Sequence, residues 1–485
     1  MNKKARELLC RYLKLLGIGL AGAFITLLVV GVYALNQKPD LKVWHTARLD
    51  EEFTVKSDVS TFSEYLALED RLFTQLGEKV FDEIEPEDEQ VINRYFHGFL
   101  FDSEKEVPNW NRSFELPPNP GAGPPSLGVL LIHGLSDSPY SLRKVGQELQ
   151  SRGAHVVGLR VPGHGTAPSG LTRVKWQDMA AAVEIAMKHL QKKVGKKPLY
   201  VVGYSNGGAL AVRYALSSLE IEELPRLEGI ALISPEIGIT PAAAFAVWQG
   251  RIGGLLGLSK LKWTDVIPEY DPYKYNSFPV NAGDLAHRLT KINRESMGKL
   301  GAADKLEDFP TVLAFQSVVD ATVKAPALVK DLFFHLPDRG HELVLFGLNK
   351  KAGFEPLYHA NPAEQLVTLL AQPKRSFTLT LLSSQTDTDN KVTLRKWAVG
   401  ESNAVEEETE MRWPERVYSL SHVALPFSEE DPVYGMKKDS GVSLGHLDLR
   451  GEKGVLKISG NNMMRLRWNP FYPYLESRIL GHFGL

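Results

Sequence analysis

The sequence predicts an α/β fold, a mostly parallel sheet covered by helices on both faces. Three observations carry that expectation. From Leu127 onward, apolar runs of strand length alternate with stretches of helical spacing. The run Tyr200–Val202 passes through Gly203-Tyr204-Ser205-Asn206-Gly207 directly into a helical stretch beginning Gly207-Gly208-Ala209. A second glycine-bearing turn, His133-Gly134-Leu135, closes an earlier strand-like run.

In chain order, Leu127 to Ile132 reads as a strand, Pro139 to Arg152 as a helix, His155 to Val161 as a strand and Trp176 to Lys193 as a helix. The serine-bearing strand and its helix follow, then a strand over Leu227 to Ser234. Residues 239–306 interrupt this rhythm with Gly-, Trp- and Tyr-rich helical text, which predicts a cap or lid inserted into the core. Strands return at Thr311 to Gln316 and Glu342 to Leu348, and the tail adds Phe377 to Leu382, Val392 to Trp397 and Val417 to His422. Glu406 to Glu410 reads as a solvated acidic loop. The core is thus expected in two parts, 121–238 and 307–485.

Ahead of the core, Leu15 to Leu35 is uncharged and apolar, about the length that spans a bilayer as a helix. Lys3, Lys4, Arg6, Arg11 and Lys14 precede it, opposed only by Glu7. This predicts a cytoplasmic basic tail over 1–14, a transmembrane signal-anchor over 15–35 and an exported remainder, such as a bacterial inner-membrane protein facing the periplasm. The alternative is a cleaved signal ending at Val32-Tyr33-Ala34; the apolar run exceeds a usual signal core and favours the uncleaved anchor. Residues 36–120 form an N-terminal extension, with amphipathic spacing from Phe62 to Phe73 and an edge-strand pattern from Asn109 to Leu116.

Composition excludes several chemistries. A net charge of −2 over 485 residues gives no case for nucleic acid. One cysteine, Cys10, leaves no disulfide framework and no cysteine metal cluster. No zinc, redox or nucleotide-binding signature occurs, so neither metal nor cofactor is expected.

The chemistry therefore centres on Ser205. G-x-S-x-G between a strand and a helix forces a sharp turn that lifts the hydroxyl above the sheet edge. The same turn aims the backbone N–H of Asn206 at a developing oxyanion, with the N–H of Leu135 as second donor. A serine hydroxyl is a weak nucleophile and needs a base and an orienting carboxylate. Asp320 lies just past the strand Thr311 to Gln316, at the edge where open α/β sheets place their sites. Chain order Ser…Asp…His makes His341, His359, His422, His446 and His482 eligible bases. His422 is preferred because it ends a strand-like run; His359 is the rival. His133 is expected to shape its loop.

Gly203-Tyr204-Ser205-Asn206-Gly207, His133-Gly134-Leu135 and Pro162-Gly163-His164-Gly165, in this order, resemble the α/β-hydrolase superfamily, nearest its bacterial carboxylesterase and monoacylglycerol-lipase branch. The resemblance covers roughly Leu127 to Gln316. It implies Ser205 as nucleophile, Asp320 as acid, Asn206 and Leu135 as oxyanion donors, a structural His164 and a cap. The long interval from Asp320 to His422 departs from the family pattern. The expected function is a membrane-anchored serine hydrolase of carboxylic esters, including lipid or lysolipid esters, with Trp248, Trp263 and Tyr270 of the insert contacting substrate. The alternatives are an exopeptidase or amidase on the same fold, or a binding protein that keeps the fold without turnover.

Overall fold

The computed structural model describes residues 3–36, 38–101, 108–238, 259–323, 325–352, 375–436, 444–446, 460 and 464–485. A ten-stranded sheet organises them: β1 (Phe114–Leu116), β2 (Leu127–Ile132), β3 (Ala154–Leu159), β4 (Leu199–Tyr204), β5 (Gly229–Ile233), β6 (Thr311–Ser317), β7 (His341–Phe346), β8 (Phe377–Ser384), β9 (Lys391–Trp397) and β10 (Val405–Arg412). The spatial order is β1-β3-β2-β4-β5-β6-β7-β8-β9-β10. β3 through β8 run parallel, while β1 at one edge and β9 and β10 at the other are antiparallel.

Among the described residues, the α-helices of seven or more residues are α1 (Lys3–Asn36), α2 (Phe62–Leu76), α3 (Arg143–Ser151), α4 (Trp176–Val194), α5 (Asn206–Glu220), α6 (Val280–Ala302), α7 (Ala325–Asp331) and α8 (Tyr472–Phe483). Both sheet faces are covered, and the side-chain alternation of the strands divides the core in two. Leu130, Ile132, Val157, Leu159 and Val201 pack with α2, α4, α5, α6 and α7. Val129, Leu131, Val156, Tyr200 and Val202 pack with α3 and α8 on the opposite face. Every residue of β2, β3, β4 and β5 is buried, which is why these strands read as unbroken apolar runs.

The chain steps from β2 outward to β3, then returns across β2 to β4. That reversal opens a crevice beyond the carboxyl ends of β2 and β4. His133-Gly134-Leu135 and Ser205 sit at those two ends.

α2 starts at a capping box: Thr61 Oγ1 accepts from the Glu64 N–H (3.3 Å), and the Glu64 carboxylate accepts from the Thr61 N–H (2.9 Å). Its apolar face enters the main core through Phe62, Tyr65 and Leu68. A buried charge network then fastens the N-terminal extension to the turn after β3. The Arg160 guanidinium meets Glu52 at 3.0 and 3.1 Å and Glu69 at 2.9 Å, and Glu52 also accepts the Gly163 N–H at 2.9 Å.

The sequence expectations need three corrections. Val417 to His422 is not a strand. Only Ser419 makes a bridge, to Leu348, and His422 opens a single 3-10 turn over His422–Ala424. Polar tethers hold this segment instead: the Asn349 amide donates to the Val417 carbonyl (2.8 Å) and the Ser317 hydroxyl to the Leu420 carbonyl (2.9 Å). Second, Glu406 to Glu410 is no loop but part of β10, whose exposed charges suit an edge strand. Third, the edge pattern from Asn109 yields only the three residues of β1. Residues 3–36 form one helix, and among the described residues no helix is long and apolar enough to cross a membrane. The transmembrane helix expected over 15–35 is therefore not found among the described residues.

Candidate active site

β4 delivers Ser205 onto the first turn of α5 with φ 53° and ψ −117°, a region L-residues rarely occupy. The Ser205 N–H donates to the Ile233 carbonyl (2.9 Å), and the Ser205 carbonyl accepts the Glu236 N–H (2.9 Å), so the end of β5 and the segment after it hold the two sides of the strained residue. Ser136 and Ser234, at φ 58° and 42°, share this unusual backbone on the two neighbouring strand ends.

His422 lies between Ser205 and Asp320. Its Nδ1 is 2.8 Å from Asp320 Oδ2, and its Nε2 is 3.0 Å from Ser205 Oγ. A carboxylate only accepts, so Nδ1 carries the proton and Nε2 is left to accept from the serine hydroxyl. Asp320 is buried and saturated with donors: the Gln316 amide (2.7 Å) and the N–H groups of Thr322 (2.7 Å) and Val323 (3.0 Å) join His422. Burial pushes its carboxyl up, but the His422 hydrogen bond and charge with these N–H groups outweigh that and hold it below its ordinary value. The three side chains are 7%, 6% and 7% exposed for Ser205, His422 and Asp320, leaving the hydroxyl approachable in a mostly dry site.

The turn after β2 presses against the serine. A Cβ on Gly134 would lie 3.1 Å from the Ser205 Cβ. Among the described residues, neither the Leu135 N–H nor the Asn206 N–H has a backbone or side-chain acceptor. Two unused donors beside a nucleophilic oxygen are what a tetrahedral oxyanion needs. His133 is not available as a base. Its Nε2 accepts the Val161 N–H (3.0 Å), so its Nδ1–H faces the Gly134 carbonyl (2.8 Å), and burial drives its pKa well below the ordinary range. His164 is likewise buried, pushed down to about 4, with Nδ1 facing the Val161 and Pro162 carbonyls (3.2 and 3.0 Å).

Of the other expected positions, Trp248 and His359 lie outside the described residues. Trp263 is buried, with its ring edge-on to His45 at 4.8 Å. Tyr270 is buried in a cluster with Tyr140, Tyr273, Phe427, Val433 and Tyr434. Among the described residues, no ring contact joins Trp263 or Tyr270 to His422, whose aromatic neighbour is Tyr204.

Sequence reasoning missed several residues around the site. Glu236 accepts from the Asn206 side-chain amide (3.0 Å), and burial raises its carboxyl. Tyr204 sets its ring 5.6 Å from the His422 ring, and Lys274 stands over Tyr204. Gln316 had a local signal, four residues before Asp320 at the end of the same strand. Lys274 had none, because its placement depends on the path of the insert.

Part of the chain is similar to known hydrolases. Residues 123–331 match the hydrolase family described as serine aminopeptidase, S33. A thermostable monoacylglycerol lipase of Bacillus sp. (strain H-257) is 31% identical over 126 residues, 26% of this chain and 47% of that protein. The chain therefore spans about half the length of that relative. Among solved structures, the Paleococcus ferrophilus monoacylglycerol lipase is 17% identical with a TM-score of 0.37, covering 48% of this chain and 88% of that one. A soluble variant of the Saccharomyces cerevisiae monoglyceride lipase gives 17% and 0.39, covering 48% and 82%.

Proposed function

We propose, from the premise that this chain is an α/β-hydrolase resembling esterases and monoacylglycerol lipases, that it cleaves carboxylic esters through an acyl-enzyme on Ser205. The observation that carries this reading is one imidazole within hydrogen-bond reach of both a strained serine and a buried carboxylate. His422 Nε2 takes the Ser205 proton as Oγ bonds to the acyl carbon. The N–H groups of Asn206 and Leu135 receive the oxyanion. Collapse breaks the bond to the alcohol oxygen, which takes the proton from His422. Water, deprotonated by the same ring, then attacks the acyl carbon and releases the acid and Ser205. Asp320 keeps the Nδ1 proton in place and stabilises the imidazolium.

Monoacylglycerol-type lipid esters are the proposed substrates, by likeness to the Bacillus relative. Amide hydrolysis is the second reading, favoured by the peptidase description of the matched family. A fluorophosphonate probe on the full chain should label wild type and not Ser205→Ala, and paired ester and amide substrates should give faster ester turnover. Unlabelled wild type would remove the serine-hydrolase reading; faster amide turnover would favour the second.

The chain is also proposed to be anchored in a membrane by α1, N-terminus in the cytoplasm and catalytic part exported. The support is the uncharged sequence from Leu15 to Leu35, its basic flank, and the exposure of Leu15, Leu16, Ile18 and Leu20. The full-length protein should resist carbonate extraction from membranes; a soluble form starting near Leu35 would point to cleavage at Val32-Tyr33-Ala34.

A further inference from the structure

The insert returns to the core through Lys274 and Tyr275, beside the oxyanion turn. The Tyr275 N–H donates to the Ser136 carbonyl at 2.7 Å, next to Leu135, and its hydroxyl accepts the Thr166 N–H at 2.8 Å. This clamp holds Lys274 against the residue preceding the nucleophile. Its ammonium lies 5.5 Å from the Tyr204 ring centre, 4.7 Å from Phe427 and 5.3 Å from Tyr434. Aromatic faces attract a cation but give it no hydrogen-bond acceptor. Among the described residues, Lys274 Nζ has neither a hydrogen bond nor a carboxylate within ion-pair distance.

A second cation arrives from the C-terminal segment. Arg465 Nη2 lies 3.3 Å from Thr322 Oγ1, and the Thr322 N–H is one of the donors to Asp320. Arg465 also pairs with no carboxylate among the described residues. Its charge reaches both Tyr204 and Lys274. Arg467, by contrast, is neutralised, 3.9 Å from Asp271 with its other nitrogen toward the Tyr270 hydroxyl.

Two carboxylates could cancel these charges, and neither does so by contact. Asp271 is committed to the N–H groups of Tyr273 and Lys274 (both 3.0 Å) and to the Tyr434 hydroxyl (2.5 Å). Asp137, two residues past Leu135, is 2% exposed and opposes Lys274 electrostatically. Neither of its oxygens has a hydrogen-bond partner among the described residues; the Ser141 hydroxyl and Ser138 N–H stand near without good geometry. Burial raises its carboxyl and also lowers the Lys274 ammonium, so neither charge is secured by the other. An anion bound between Lys274 and Arg465 would favour the charged ammonium that burial alone disfavours.

We propose that Lys274 and Arg465 form an anion-binding wall of the Ser205 site, and that the preferred ester carries a phosphate or carboxylate next to the scissile bond. The unpartnered Asp137 offers an acceptor to a hydroxyl on the same group. This rests on the ester-hydrolase reading and narrows its substrate from neutral acylglycerols to anionic acyl esters.

The test compares three esters of one short acyl chain with the purified full-length protein in neutral detergent: an acylglycerol phosphate, an acylglycerate and the neutral acylglycerol. Wild type should prefer at least one anionic ester in kcat/KM by about tenfold or more, the scale of a charge-assisted hydrogen bond. Which anion leads identifies the source. Lys274→Met and Arg465→Gln should each shrink that ratio, mainly through KM, and added salt should shrink it in wild type. Arg465 sits at the rim, so its variant reads the proposal even if Lys274→Met folds poorly. A wild-type ratio near one, or a ratio insensitive to Arg465→Gln and salt, would overturn it while fluorophosphonate labelling at Ser205 persisted. Absence of both labelling and turnover on all three esters would instead bring down the hydrolase reading, and this proposal with it.

Discussion

Gly207, in the first turn of α5, is packed against the carbonyl of Ile132 at the end of β2 so closely that no side-chain atom fits between them. A Cβ there would also meet the His133 carbonyl at 2.6 Å. The contact ties the turn carrying Ser205 to the turn carrying Leu135, and backbone on both sides leaves little room to yield. Gly207→Ala should therefore destabilise the fold by about 1–3 kcal/mol or more and separate the nucleophile from the oxyanion donors. Thermal melting and probe labelling should both fall. Unchanged labelling would show that the two turns move independently.

His422→Ala should lower ester turnover nearly as far as Ser205→Ala, by roughly four to six orders of magnitude, because the members of such a group act as a unit. The double variant should be no worse than either single one. Asp320→Asn should cost about 10⁴-fold, since an amide in that place no longer fixes the Nδ1 proton. His359→Ala should be close to silent. Single-turnover kinetics on a soluble ester check all four; a severe loss in His359→Ala would break the assignment.

The Arg160 network predicts that the N-terminal extension is part of the core's stability. Glu69→Ala leaves a nearly inaccessible guanidinium short of a carboxylate, and should cost about 3–5 kcal/mol. Glu52→Ala should cost a similar amount and also release the Gly163 N–H. Urea unfolding measures both; a loss under about 1 kcal/mol would mean the network relaxes into solvent.

Stability should decline in acid. Burial holds His45, His164 and His341 down to about 4 and His133 well below its ordinary value. The unfolded chain protonates its histidines below about pH 6.5, so between there and about 4 it binds more protons than the folded chain, and stability is lost as pH falls. Each ring contributes up to about 1.4 kcal/mol per pH unit in that window. Glu269 acts oppositely: burial pushes it up to about 7, so its contribution is lost as pH rises from about 4.5 toward 7. Asp137, Glu184, Glu236 and Glu476 are raised in the same sense as Glu269, and His482 is lowered like the four rings above. The histidines are driven further from their ordinary value, so the melting temperature should fall between pH 6.5 and 4.5. A flat profile would contradict these placements.

The sequence by itself determined the parallel core and the serine turn. β2 to β6 are buried on both faces and therefore written in apolar residues, and the G-x-S-x-G turn needs its glycines for contact with backbone. Asp320 was legible for the same reason, one turn past a buried strand. Tertiary structure alone decided how His422 reaches Ser205. Its segment has no regular element to write a period into the sequence, and is fixed by hydrogen bonds from Asn349 and Ser317, on strand ends some 70 to 100 residues away. The edge strand β10 was illegible too, since solvent on its exposed side chains removes the alternation that marks a strand. Lys274 comes to Tyr204 and Arg465 to Thr322 from segments far apart in sequence. Such a placement leaves no pattern in either stretch: it depends on where two chain segments end in space, and sequence spacing carries no information about that.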